Sequence, residues 1–236
     1  MNPAPTPVVF IPALLCDQAM YSEVIAELGD AIEPHVLLSP KPSLKDSVAD
    51  LLERAPARFV LVGTSYGGSL AMEVALAAPR RVLALWLMGC NPAAAQPGGP
   101  DLAAGLLSSP DAVIDMLAGL VVRKQATAAA TTFKTMARRL GAGVGAVQAR
   151  AATSRQEAVS RLGGLTMPAL VLWGQDDPLA SVAVGRALAD GLPNAQFQVI
   201  EACGHLPTLE QPVECAVRFK QFLHSVTGPR HLTQGG

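Results

Sequence analysis

The sequence is short of charge. Asp, Glu, Lys and Arg make up only 16% of its 236 residues and nearly cancel, leaving a net charge of -1 and a pI near 6.4. This removes the basic footprint that a phosphate backbone requires, so nucleic acid is not an expected partner. With half the residues apolar, intrinsic disorder is excluded too. Long hydrophobic runs are also missing: mean hydropathy is +0.32, yet the longest runs, such as residues 82–90, have strand length. A membrane-spanning helix needs roughly 18 apolar residues in a row. The apolar stretch 8–15 has no basic residue before it, the first being Lys41, and Pro12 interrupts it, so no cleavable signal is expected. These absences point to a cytoplasmic protein with a small-molecule substrate and no membrane partner; oligomeric state is not legible. Four scattered cysteines (Cys16, Cys90, Cys203, Cys215) form no C-x-x-C pair and meet no His at finger spacing, so no metal is expected and they read as reduced thiols. The 21 Gly and 19 Pro follow no Gly-X-Y period and indicate turns.

What is present is alternation. Apolar, β-branched runs at 8–11, 35–38, 58–62, 82–88, 169–173 and 197–200 read as six strands. Between them, residues 18–28, 44–54, 66–78, 182–189 and 212–225 carry apolar positions at three- and four-residue spacing, as crossover helices do. The pattern implies an α/β fold with a mostly parallel sheet covered on both faces. Gly29 and Gly191 stand where helix caps are expected. From 92 to 164 the alternation stops. The stretch 92–100 is loop-like and 112–122, 128–140 and 144–162 read as helices, so the expectation is a core of 1–91 and 165–227, a helical cap insertion at 92–164 and an unstructured tail at 228–236. A longer crossover with extra packing is the plainer reading of the insertion.

The strand Phe59-Val60-Leu61-Val62 runs straight into Gly63-Thr64-Ser65-Tyr66-Gly67-Gly68 and then into a helix. A serine at such a strand-to-helix turn projects its hydroxyl out of the sheet, and glycines two residues either side relieve the crowding. A serine nucleophile needs a base and an orienting acid. Of the four histidines, His35 falls in a strand, His224 near a helix end and His231 in the tail; His205 follows a strand, in the loop Glu201-Ala202-Cys203-Gly204-His205-Leu206-Pro207. Open parallel sheets place their sites at that carboxyl end. The preceding strand leads into Gly174-Gln175-Asp176-Asp177, which offers two adjacent carboxylates.

With Ser before Asp before His, and with Trp173-Gly174-Gln175-Asp176-Asp177 and Cys203-Gly204-His205-Leu206-Pro207 running on to Leu209-Glu210-Gln211-Pro212, the chain resembles the α/β-hydrolase superfamily over nearly its whole length. The resemblance implies Asp177 rather than Asp176 as the acid. It implies that Ile11-Pro12-Ala13-Leu14-Leu15-Cys16-Asp17 is the oxyanion loop, with the backbone N-H groups of Leu14 and Tyr66 as the oxyanion hole. It also implies a sheet ordered 2-1-3-4-5-6 without the family's usual first two strands. The chain departs from many relatives in carrying Pro12-Ala13 where they have His-Gly, and Cys90-Asn91 offers no carboxylate where some relatives keep the acid.

The expected activity is that of a serine hydrolase, carboxylesterase-like, on a small, largely apolar ester or related carbonyl substrate, with no cofactor. A carbon-carbon bond hydrolase or lyase on the same triad is the alternative within enzymes, since the loops also resemble those of ring-cleavage-product hydrolases. A non-catalytic ligand-binding module on the same fold is the alternative of another class. Leu106, Leu107, Ile114, Met116, Leu117, Leu120, Phe133 and Met136 are available as pocket walls or as the insertion's own core. Arg138, Arg139, Arg150 and Arg155 are available to an anionic substrate or as solvated faces. A nucleotide-binding reading of Gly67-Gly68 lacks both G-x-G-x-x-G and a following Gly-Lys-Ser/Thr.

Overall fold

The computed structural model describes residues 4–95 and 98–227. The chain order is β1 (Thr6–Ile11), α1 (Ser22–Leu28), β2 (Ile32–Val36), α2 (Leu44–Arg54), β3 (Phe59–Thr64), α3 (Tyr66–Ala77) and β4 (Val82–Met88). Four helices follow: α4 (Leu102–Ser108), α5 (Pro110–Val121), α6 (Thr127–Leu140) and α7 (Ala142–Thr153). The alternation then resumes with β5 (Ala169–Gly174), α8 (Val182–Gly191), β6 (Ala195–Ile200), α9 (Pro207–Glu210) and α10 (Pro212–Thr227). The six strands form one sheet in the order β2-β1-β3-β4-β5-β6, and every neighbouring pair is parallel. This is the predicted α/β order.

The central strands read as unbroken apolar runs because both of their faces are covered. In β3 and β5 every residue is buried. Successive side chains point to opposite faces, so Val60 and Val62 join Trp86, Leu170 and the α10 residue Phe219 in one cluster. Phe59 and Leu61 join Leu51 of α2, Leu70 of α3 and Leu188 of α8 in the other. The four cysteines are all buried and unpaired. Among the described residues no helix is long and apolar enough to cross a membrane.

Several boundaries differ from expectation at the edges and in the insertion. β2 occupies 32–36, not 35–38, and Glu33 and Pro34 lie inside it, exposed. It pairs only with β1, and an edge strand tolerates a proline and outward charges that break the apolar pattern. The segment 102–108, unassigned in sequence, is helical, with the Asp101 side chain accepting from the Ala104 N-H at 2.9 Å. The helix expected over 144–162 ends at Thr153; 159–164 is a separate 3-10 turn. There Ser154 turns its hydroxyl back onto the Ala151 carbonyl at 2.7 Å, competing with helix propagation. Gly29 (φ 56°) caps α1, whereas Gly191 is the last residue of α8. The tail 228–236 lies outside the described residues.

Candidate active site

Ser65 sits where β3 turns into α3, at φ 55° and ψ -118°. L-residues rarely adopt that backbone conformation, and it persists only where the surroundings over-determine it. Its N-H donates to the Met88 carbonyl at 2.8 Å, tying the turn to β4. The glycines explain how the turn is packed. A Cβ on Gly67 would overlap the carbonyl oxygens of Ile11 and Pro12; one on Gly63 would overlap the Gly67 carbonyl; one on Gly68 would sit 2.6 Å from Cys90 Cβ. The start of α3 is therefore pressed against the end of β1.

His205 arrives from the loop after β6 and Asp177 from the loop after β5. His205 Nε2 is 2.9 Å from Ser65 Oγ, and His205 Nδ1 is 2.8 Å from Asp177 Oδ2. Both ring and carboxylate are buried. The carboxylate is used twice: its Oδ1 accepts the backbone N-H groups of Leu179 and Ala180, each at 2.9 Å. Asp176 points elsewhere, with its Oδ2 3.3 Å from Arg123 Nε and its side chain half exposed. Gly89, at φ 56°, completes the ring's seat: a Cβ there would come within 3.0 Å of His205 Cε1, and this conformation is one glycine adopts readily. Of the other histidines, His35 lies beside Glu33 on β2 and His224 is exposed on α10; neither meets Ser65. His231 lies outside the described residues.

The turn after β1 is held donor by donor. The Ala13 N-H points to Met20 Sδ at 3.4 Å, the Leu15 N-H donates to Gln148 Oε1 at 3.0 Å, and the Cys16 N-H donates to the Ala13 carbonyl at 3.0 Å. Among the described residues this leaves the Leu14 N-H without a protein acceptor. Tyr66 is the first residue of α3, whose leading N-H groups have no intrahelical partner. Leu15 is fully buried at φ 62°, and Gln148, itself buried on α7, is what satisfies its amide. On the other side of the turn, Tyr21 Oη donates to the Ile11 carbonyl at 3.0 Å and lies 2.9 Å from Thr64 Oγ1, joining β1 to β3 just before Ser65.

Ser65 and His205 open into a pocket of about 330 Å³. Leu14 and Leu206 line it from the sheet side; Leu117, Val121 and Phe133 line it from α5 and α6. Of the eight apolar side chains the sequence offered as walls, Met116, Leu117, Leu120 and Phe133 line it. Leu106, Ile114 and Met136 are buried in the core instead, and Leu107 is exposed. None of the four arginines lines it: Arg138 pairs with Asp111 and Arg139 with Asp17, and Arg155 donates to the Ala93 carbonyl. A larger open groove, about 840 Å³, lies apart from Ser65, between α2, α3 and residues 154–161.

Sequence reasoning missed a clamp outside the pocket. Glu210 Oε1 accepts the Gly204 N-H at 3.0 Å and its Oε2 accepts the Arg123 N-H at 3.3 Å. The Arg123 guanidinium donates to the carbonyl of Ala202, itself at φ 50°, and reaches Asp176. Burial raises the Glu210 carboxyl above its ordinary range, opposed by those two amides and by the Arg123 charge. The segment between α5 and α6 is thereby tied to the loops that carry Asp177 and His205. The only sequence signal was Glu210 inside a motif; Gln148 gave none beyond being an amide in an Ala/Gly-rich helix.

Known proteins sharing this architecture include a thermophilic esterase from Thermogutta terrifontis, with a TM-score of 0.82 at 21% identity over 94% of this chain and 90% of that one. An enol-lactonase from Burkholderia xenovorans superposes with a TM-score of 0.83 at 18% identity over 94% and 92% of the two chains. In sequence, a 2-hydroxy-6-oxononadienedioate/2-hydroxy-6-oxononatrienedioate hydrolase of Cupriavidus pinatubonensis is 34% identical over 63% of this chain and 56% of its own length. A protein of the same name from Paraburkholderia phymatum is 33% identical over 72% and 62%. The matched part thus spans under two thirds of these curated relatives. The model of the alpha/beta hydrolase family matches residues 12–218, and the chain belongs to that family.

Proposed function

We propose that this chain is a serine hydrolase acting at the carbonyl carbon of a small, largely apolar ester. One observation carries the reading: the continuous line Ser65 Oγ, His205, Asp177, with contacts of 2.9 and 2.8 Å, opening into a hydrocarbon-walled pocket. His205 Nε2 takes the Ser65 proton as Oγ bonds to the carbonyl carbon, while Asp177 holds Nδ1-H and stabilises the imidazolium. The Leu14 and Tyr66 N-H groups receive the oxyanion, a donor of this kind being worth about 3 kcal/mol in the transition state. Collapse breaks the carbon-oxygen bond, and His205 hands its proton to the departing alkoxide. His205 then deprotonates water, which attacks the acyl carbon, releases the acid and restores the Ser65 hydroxyl. Helices α4 to α7 act as the cap over this chemistry.

The names of the curated relatives favour a second reading, hydrolysis of a carbon-carbon bond in an oxo-dienedioate on the same three residues. Two measurements separate the readings. A fluorophosphonate should label Ser65, and Ser65→Ala should abolish both labelling and p-nitrophenyl ester turnover; full turnover in that variant overturns the assignment. A vinylogous 1,5-diketone hydrolysed faster than a simple ester favours the second reading. Absence of labelling, with a small ligand still raising Tm, favours a binding module.

A further inference from the structure

Seven large apolar side chains are exposed among the described residues, and three of them, Met116, Leu120 and Leu179, stand together around the mouth of the Ser65 pocket. They are 46%, 39% and 49% exposed, while Leu117 and Val121 beside them are buried. Met116 and Leu120 are four residues apart and so share one face of α5. Leu179 faces the pocket from the acid loop, and its N-H is fixed by the same carboxylate that holds His205. The opening thus has a hydrocarbon wall on each side, one anchored to the catalytic loop and one to the insertion.

Four cations of the insertion are held in ion pairs, and Lys124, exposed between α5 and α6, does not line the pocket. Lys134 and Arg138 pair with Asp115 and Asp111 at 2.8 and 2.9 Å, Arg139 with Asp17, and Arg123 with Asp176. No Lys or Arg among the described residues lines the pocket, and the charged residues α5 itself contributes nearby are acids. A carboxylate entering here gives up its hydration without gaining a counter-ion. A methylene gains about fourfold in binding by leaving water.

Taking Ser65 as the nucleophile, we propose that the substrate group entering this pocket is an uncharged hydrocarbon chain lying between Leu179 and the Met116-Leu120 face of α5. The dioates for which the curated relatives are named are rejected. At roughly 30 Å³ per water-sized group, 330 Å³ holds about ten such groups, so selectivity extends to chains of about eight to ten carbons.

The test compares p-nitrophenyl octanoate with mono-p-nitrophenyl suberate, equal in chain length but ending in a carboxylate. The expected result is kcat/KM rising with acyl length from acetate to octanoate, and at least a hundredfold deficit for the suberate. Leu120→Lys, a substitution at a part-exposed rim position, should shrink that deficit about tenfold. Leu179→Ala should lower the octanoate-to-acetate ratio about tenfold. Equal turnover of the two octyl substrates, no dependence on length, or Ser65-dependent hydrolysis of 2-hydroxy-6-oxononadienedioate overturns the inference and leaves the hydrolase intact. A binding measurement covers the converse. If no ester is turned over but 1-octanol raises Tm where suberate does not, the hydrolase reading fails and the neutral pocket stands; if neither raises it, both fail.

Discussion

The loops at the carboxyl ends of the strands and the helices between β4 and β5 form the two halves of the site, and they are built on different principles. The loops hold polar atoms by backbone means: a strained Ser65, glycines with no room for a Cβ, and a carboxylate whose two oxygens are both committed. The insertion presents hydrocarbon, and its polar links to the other half run through Gln148, Arg123 and side-chain ion pairs such as that of Arg139 with Asp17. The proposed chemistry, which needs fixed distances, sits on the rigid half. Selection, which needs shape and dryness, draws on both: Met116 and Leu120 supply one wall from the insertion and Leu179 the other from the acid loop.

The largest effect should come from attacking the rigid half. Asp177→Asn keeps an oxygen for the Leu179 and Ala180 amides but disturbs the tautomer of His205, so kcat/KM for an ester should fall about 10⁴-fold with circular dichroism unchanged. A loss under tenfold would mean that the carboxylate does not orient the ring. Next is the joint between halves. Gln148→Leu leaves the buried Leu15 N-H unpaired at a residue already at φ 62°, and urea unfolding should show a loss of about 1–3 kcal/mol. Unaltered stability would mean that the two halves are joined some other way.

The smallest effect concerns Glu210. Burial raises its carboxyl above the ordinary value of 4.5, so the stability associated with its neutral form is present below that pH and is lost as pH rises through the higher folded value. Glu210→Gln removes this dependence. The wild-type minus variant difference in Tm should therefore decline as pH rises above about 4.5, and a difference that grows instead would reverse the assigned sign.

The same division accounts for what the sequence made legible. Residues 63–68, 173–177 and 203–207 were readable because a sharp turn, a positive φ or a close approach admits few residue types, and those types are rare enough to notice. The central strands were readable because two buried faces leave an uninterrupted apolar run. β2 was not, because an edge strand is free to carry Glu33 and Pro34. In the insertion, Met116 and Ile114 are equally apolar, yet one lines the pocket and the other is core; only the angle of α5 separates them. Arg123 and Glu210 lie 87 residues apart, so nothing local announces their contact.

Leu85 pairs with Ala169 and Met88 with Leu172 in a parallel ladder, so the chain leaves the sheet at the carboxyl end of β4 and must come back along the length of a strand to enter the neighbouring β5 at its amino end. The sheet therefore sets a shortest length for the excursion, one strand's height, and no longest one. A chimera that exchanges residues 92–164 for a segment of another length has to supply an amide at the position of Gln148, a donor at that of Arg123 and apolar side chains where Leu106, Ile114 and Met136 join the core.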